Sequence, residues 1–341
     1  MRVLRIAIFL FILGAPLGLP GQEPGSESFS PHHEIALRRL DLEIARAAKL
    51  AEGTVGVNAL HLESGQRIFF NAKDRFPMAS TFKIPVAVQI FTLADRGELS
   101  LDRMVEVKQK DLHPGSGILT TSLSKPGLIL SVRNLLELML LVSDNSATDL
   151  LLHLAGGPKA VTERMRSLGL GDLELNRSTV QLIADSTGYT LPPEEEWTPE
   201  RFKKLYEGTT RESRKEAARR FQKDLRDTTT PENMVTLVEK IHRGGVVSPE
   251  SRAMLFEVLE RCQTGKNRIR GLLLPDTIVA HKTGTIAGTA SDVGLITLPD
   301  GAGHVAVAIY LKGTDQEAAE KERTIAQIGR SLYDFFLFRR P

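Results

Sequence analysis

At 341 residues, 41% hydrophobic and 25% charged, the chain has the composition of a soluble globular protein with apolar material for one large or two smaller cores, which excludes a disordered chain. Its 44 basic and 42 acidic residues leave a formal net charge of +2, so no dominant field points to nucleic acid or a membrane surface, and a small partner is expected. The single cysteine, Cys262, excludes an intrachain disulfide and a thiolate metal cluster, and is expected in the core.

The first residues depart from the rest. Arg2 and Arg5 precede the apolar Ile6 to Leu13, the small residues of Gly14-Ala15-Pro16-Leu17-Gly18 and a polar stretch from Gln22 to Ser30. This is the order of a secretory signal, and it is too short to favour a membrane span. Residues 1–21 read as a signal peptide and 22–33 as a polar leader, which makes the protein periplasmic or secreted; an uncleaved N-terminal anchor is the alternative. No cysteine follows the apolar run, which excludes lipid attachment there.

Glu34 to Ala51 has helical spacing, with Ile35, Leu37, Leu40, Leu42, Ile44 and Ala47. A strand pair follows, Thr54 to Leu62 and Arg67 to Asn71, joined by a turn at Ser64-Gly65. Phe76-Pro77 leads into a helix that ends near Gly97. Residues 98–264 read as helical, with few strand signals. Ser131 can cap a helix carrying Leu135 to Val142, apolar on nearly every side and therefore expected to be central. It stops at Ser143-Asp144-Asn145, and helices over Ala147–Leu154 and Ala160–Leu168 follow. Between 186 and 226 the dense alternating charge, with Thr198-Pro199-Glu200 as cap and first turn, marks inserted helices laid over the surface. Strands return at Thr277–Lys282, Asp292–Leu298 and His304–Leu311, and Glu317 to Leu337 forms a last helix. Strands at both ends with helices between predict an α/β chain of the α+β type: one antiparallel sheet built from both termini (34–97 and 265–339), flanked by helices, plus an all-helical part. The groove between the two parts is the expected site.

Met78-Ala79-Ser80-Thr81-Phe82-Lys83 carries the first chemistry. At the start of a helix, Ser80 and Lys83 stand one turn apart, close enough for the amine to take the hydroxyl proton. Chance alone supplies roughly one S-x-x-K in a chain of this length. A second one, Ser122-Leu123-Ser124-Lys125, lies among helix-breaking residues, whereas Ser80 precedes the apolar run Ile84 to Leu93 that can hold it rigidly. Ser143-Asp144-Asn145 after a helix and Lys282-Thr283-Gly284-Thr285 at a strand end complete the order S-x-x-K, S-D-N, K-T-G.

With these motifs the chain resembles the class A serine β-lactamases and the related penicillin-binding DD-peptidases from roughly Glu34 to Leu337, including Arg226-Asp227-Thr228-Thr229-Thr230-Pro231, similar to the family's R-D-T-T-x-P segment. The resemblance implies a β-lactamase/transpeptidase-like fold and an acyl-enzyme on Ser80. Lys83 would serve as base, Ser143 would relay a proton to the leaving nitrogen, and Asn145 would hold the substrate amide. Backbone N–H groups of Ser80 and Thr285 would form the oxyanion hole, and Lys282, Thr283, Thr285 and an arginine would meet the substrate carboxylate. Arg268 resembles one source of that arginine; a solvated surface residue is the alternative. The substrate would be a β-lactam or a peptidoglycan peptide, with no cofactor or metal, and the protein would be a monomer.

One family feature is missing. The E-x-x-L-N glutamate that activates the deacylating water has no match. One register aligns Leu175-Asn176-Arg177 with L-D-R and pairs Arg177 with Asp227 across the neck of the active-site loop, 50 positions apart. Another reads Asp172 to Asn176 as D-x-x-L-N, and the first is preferred because it keeps both ends of the loop. Asp185 or Glu194, Glu195 and Glu196 are then the candidate bases. Three functions follow: a β-lactamase, a D-alanyl-D-alanine carboxypeptidase or penicillin-binding protein with slow deacylation, or a sensor domain that is acylated without turnover.

Overall fold

The computed structural model describes residues 31–338; the expected signal peptide and residues 22–30 of the leader lie outside them. The first helix, Pro31–Leu50, begins inside the stretch read as leader. Five antiparallel strands form the main sheet in the spatial order Arg67–Phe70, Thr54–His61, His304–Lys312, Thr289–Thr297 and Val279–Ile286. The two chain ends meet where Thr54–His61 pairs with His304–Lys312, with Val57 opposite Ile309. This is the sheet built from both termini that the alternating segments predicted.

Alternation decides which face each side chain serves. Along His304–Lys312, Val305, Val307, Ile309 and Leu311 pack with Leu40, Ile44, Ile325, Ile328 and Leu332 of the helices Pro31–Leu50 and Ala318–Leu337. Ala306, Ala308 and Tyr310 face the opposite core, shared with the helical part. The strand has both faces covered, which is why it is apolar along nearly its whole length.

The most enclosed helix is Lys83–Asp95, buried from Lys83 to Val88 and again from Ile90 to Thr92. The helix Val132–Leu141, expected to be central, buries Leu135, Leu136, Met139 and Leu140 but leaves Leu138 and Leu141 half-buried. Ser131 does cap it, accepting from the Asn134 N–H. Two short strand pairs, Phe76–Pro77 with Thr228–Thr229 and Met104–Glu106 with Ile129–Ser131, break the predicted all-helical region. Strands of two and three residues leave no period to read.

The charged insertion forms the helices Pro199–Glu207 and Arg211–Lys223. Phe202, Ala217 and Phe221 are buried, whereas Tyr206 and Leu225 stay exposed. The second of these helices packs on Thr179–Thr187, one wall of the site.

Candidate active site

Ser80 sits in a 3₁₀ turn, Ala79–Phe82, that runs directly into the helix Lys83–Asp95. Side chains three apart eclipse in that geometry, so Ser80 and Lys83 share one side. The turn is pinned to the sheet: Thr81 Oγ1 donates to the Met78 carbonyl (2.7 Å) and lies 2.9 Å from the Tyr310 hydroxyl. Ala79, directly before the nucleophile, is held at φ 45°, a strained conformation for a residue with a Cβ.

Lys83 is completely buried, and its Nζ donates to the Ser143 carbonyl (2.7 Å), Ser143 Oγ (3.1 Å) and Asn145 Oδ1 (2.9 Å). Among the described residues no hydrogen bond joins Lys83 to the Ser80 hydroxyl in this resting arrangement; such bonds often form only when substrate binds. Burial first, and the neighbouring Lys282 ammonium second, hold the Lys83 amine well below the ordinary lysine range. Both effects favour the neutral form that a base requires.

Ser143 lies between the two lysines, with Lys282 Nζ 3.0 Å from its Oγ. Both amines can donate to that oxygen, which leaves its own hydrogen free for another acceptor. Asp144 fixes the segment by capping the helix Asn145–Leu154 and accepting from the Ile118 and Leu119 N–H groups at 2.7 and 2.9 Å. Lys282 is also fully buried, chiefly for that reason its pKa falls to about 8.

Lys282-Thr283-Gly284-Thr285 lies inside the strand Val279–Ile286, not at its end as the sequence suggested. Glycine and polar residues mask the continuation, but pairing with Thr289–Thr297 carries it on to Ile286. Val279–Ile286 is an edge strand, so alternate backbone groups face the Ser80 turn rather than a neighbouring strand. Gly284 permits that approach: a Cβ there would lie 2.5 Å from Ser291 Oγ and 2.7 Å from the Met78 carbonyl oxygen.

Arg268 is buried at the site, which removes the surface-residue alternative. It donates to Thr285 Oγ1 (2.7 Å) and to the carbonyls of Gly284 (2.9 Å) and Ser291 (2.8 Å), and its Nε meets Glu322 at 3.3 Å. These bonds use four of the five guanidinium N–H groups and leave one on Nη2. Ser80, Ser143, Asn145, Thr283, Thr285 and Arg268 line one cavity of about 420 Å³, closed on the other side by Thr179, Leu182 and Ile183. Ser122 lies apart, exposed in a turn.

Arg177 and Asp227 join as the preferred register requires, Nε to Oδ2 at 2.6 Å. Asp172 of the rival register is exposed and pairs with Arg75. The candidate bases point elsewhere. Asp185 binds Arg177, Glu194 binds Lys110 and Glu196 binds Arg201, and neither these nor Glu195 lines the cavity. The only carboxylate among its described lining residues is Glu322, which is engaged with Arg268.

The sequence reading missed a buried network beside Asn145. Asp149 Oδ2 is 2.7 Å from His113 Nδ1 and 2.6 Å from Thr179 Oγ1. Asn145 and Asp149 stand four apart on one helix, the one signal that puts Asp149 on the site side.

A serine beside a buried lysine, bridged by a second serine to a second buried lysine, is the arrangement of a serine acyl-transfer enzyme. The chain belongs to the beta-lactamase enzyme family, which it matches over residues 39–336, and is a serine β-lactamase-like hydrolase. It is 27% identical to the extended-spectrum beta-lactamase PER-1 of Pseudomonas aeruginosa, covering 91% of each chain. With beta-lactamase VEB-1 of the same organism the identity is 26%, over 87% of this chain and 90% of that one. Among solved structures, a beta-lactamase from Chitinophaga pinensis superposes with a TM-score of 0.70 at 28% identity, over 87% of this chain and 98% of the other.

Proposed function

We propose that the protein is an exported enzyme that opens β-lactams by acylation of Ser80 and then hydrolyses the ester. The observation that carries this reading is the pair of buried amines, Lys83 and Lys282, that both bond Ser143, a lining residue of the Ser80 cavity. In this reading Lys83 takes the Ser80 proton as the hydroxyl attacks the lactam carbonyl. The Ser80 and Thr285 N–H groups receive the developing oxyanion, each worth about 3 to 4 kcal/mol. Ser143 passes a proton to the departing nitrogen, and Asn145 orients the acylamide. The substrate carboxylate lies against Lys282, Thr283, Thr285 and the free N–H of Arg268. Export rests on the sequence of residues 1–21, and no described helix is long and apolar enough to cross a membrane.

A second reading is favoured by the lack of a free carboxylate among the described lining residues of the cavity: a D-alanyl-D-alanine carboxypeptidase that β-lactams acylate and leave slowly. Product analysis separates the two. Accumulation of penicilloate over many turnovers supports β-lactam hydrolysis, whereas release of D-alanine from a D-alanyl-D-alanine peptide with only stoichiometric penicillin consumption supports the peptidase.

A further inference from the structure

Hydrolysis of an ester on Ser80 needs a group that takes a proton from the attacking water. Besides Ser80 itself, the described lining of the cavity carries the carboxylate of Glu322 and the hydroxyls of Ser116, Ser143, Thr179, Thr264, Thr283 and Thr285. Ser143 is occupied by both lysines, Glu322 and Thr285 by Arg268, Thr264 and Thr283 by each other, and Ser116 donates to the Ser143 carbonyl rather than to a carboxylate. Thr179 is different. Its Oγ1 has two neighbours among the described residues, Asp149 Oδ2 at 2.6 Å and the Asn145 carbonyl at 3.3 Å, and both are acceptors. The hydroxyl hydrogen is therefore committed to Asp149, while its lone pairs have no described donor. A hydroxyl so placed can receive a hydrogen bond only from something that enters the cavity.

Resting on the acyl-enzyme reading above, we propose that Thr179 accepts the proton of the deacylating water and passes its own to the buried carboxylate of Asp149. In the step, the water oxygen bonds to the acyl carbonyl carbon. One water hydrogen moves to Thr179 Oγ1 as the Thr179 hydrogen moves to Asp149 Oδ2, and the carbonyl electron pair becomes the oxyanion. Collapse breaks the carbon–oxygen bond to Ser80, and the proton returns through Thr179 to the Ser80 oxygen, which leaves Asp149 ionised again. Thr179 is the catalytic residue; Asp149 and His113 are positioning residues that act through it.

The surroundings suit this task. Asp149 Oδ1 accepts from the Thr179 N–H (2.7 Å) and Oδ2 from the Val180 N–H (3.1 Å), which locks the first turn of the cavity-wall helix to the carboxylate. His113 Nδ1 closes the other side of Oδ2, and its second nitrogen faces the Lys110 carbonyl at 3.2 Å. Trp197 and Phe202 of the charged insertion set their rings 5.5 and 6.1 Å from the His113 ring, edge to face, and shield the pair from solvent. The insertion thus covers the back of the relay. Burial pushes the Asp149 carboxyl up, but the His113 and Thr179 contacts outweigh it and hold the group below its ordinary range.

The test follows benzylpenicillin by rapid-quench intact-mass analysis and steady-state kinetics in native protein, Thr179→Val, Thr179→Ser and Asp149→Asn. Thr179→Val keeps the backbone bonds to Asp149 and removes the hydroxyl. Loss of a general base predicts deacylation slowed about 100-fold, acylation within about twofold, and kcat and KM falling together so that kcat/KM is preserved. Thr179→Ser restores turnover, which a purely structural role for the threonine would not require. Asp149→Asn slows deacylation while the adduct still forms, its melting temperature reporting on folding. Deacylation of Thr179→Val at the native rate would overturn the relay while leaving acylation of Ser80 intact. A native adduct that never clears would overturn the relay and favour the peptidase, and a native protein that forms no adduct would overturn the acyl-enzyme reading and the relay together.

Discussion

Arg177→Ala is expected to destabilise the protein by about 3 kcal/mol, because it strands a carboxylate in the interior. Arg177 Nε donates to Asp227 Oδ2 at 2.6 Å, and only 5% and 4% of the two side chains are exposed. Breaking one partner of a buried pair costs about 3–5 kcal/mol. The lower end applies here, since Asp227 Oδ1 keeps the N–H groups of Asn176 (2.7 Å) and of residue 177 itself (3.1 Å). Asp185 and Asp224, also bound by Arg177, are more open to solvent and add little. Stacking of the guanidinium on Phe221, 5.0 Å from the ring centroid, adds about 1 kcal/mol and ties the insertion to the loop neck. At about 2–4 °C per kcal/mol, calorimetry should show the melting temperature falling by roughly 6–12 °C. Adding Asp227→Asn removes the stranded charge, so the double variant should be more stable than the sum of the single changes predicts. A melting temperature within 2 °C of native, or strict additivity, would refute the reasoning.

Two further outcomes follow from the lysines and the edge strand. The dependence of kcat/KM on pH should show a falling limb near 8, where Lys282 loses the proton that holds the substrate carboxylate, and a loss of activity on acidification as protonation removes Lys83 as base. An ester-blocked β-lactam should lack the upper limb, and its persistence would remove Lys282 from carboxylate binding. Gly284→Ala forces a Cβ to within 2.5 Å of Ser291 Oγ and 2.7 Å of the Met78 carbonyl, and so pushes the strand away from Ser80. Displacement of the two walls should lower the acylation rate about 10- to 100-fold, measured by stopped flow, and an unchanged rate would mean that the close approach is not needed.

The sheet was legible because its strands are apolar on alternate positions and the His304–Lys312 strand on both faces, a signal that needs no knowledge of partners. Ser80 and Lys83 were legible for a similar reason, since a spacing of three is enough to put them side by side. Contacts between distant segments were not. Thr179 and Asp149 are 30 positions apart and His113 and Asp149 are 36 apart, so nothing local marks them as one network. Arg268 looked ambiguous because its partners, Gly284, Ser291 and Glu322, come from three segments that only the folded sheet and last helix bring together. The contacts of the charged insertion were hidden in the same way: the rings of Trp197 and Phe202 meet that of His113, which lies in a distant segment.

Covalent labelling of Ser80 tests the acyl-enzyme mechanism most directly. Intact-mass analysis after mixing with benzylpenicillin should show one adduct of the intact antibiotic's mass on the native protein, located by peptide mapping to the segment Met78–Lys83, and none on Ser80→Ala. An equal adduct on Ser80→Ala, or mapping to the second serine–lysine segment at Ser122, would contradict it.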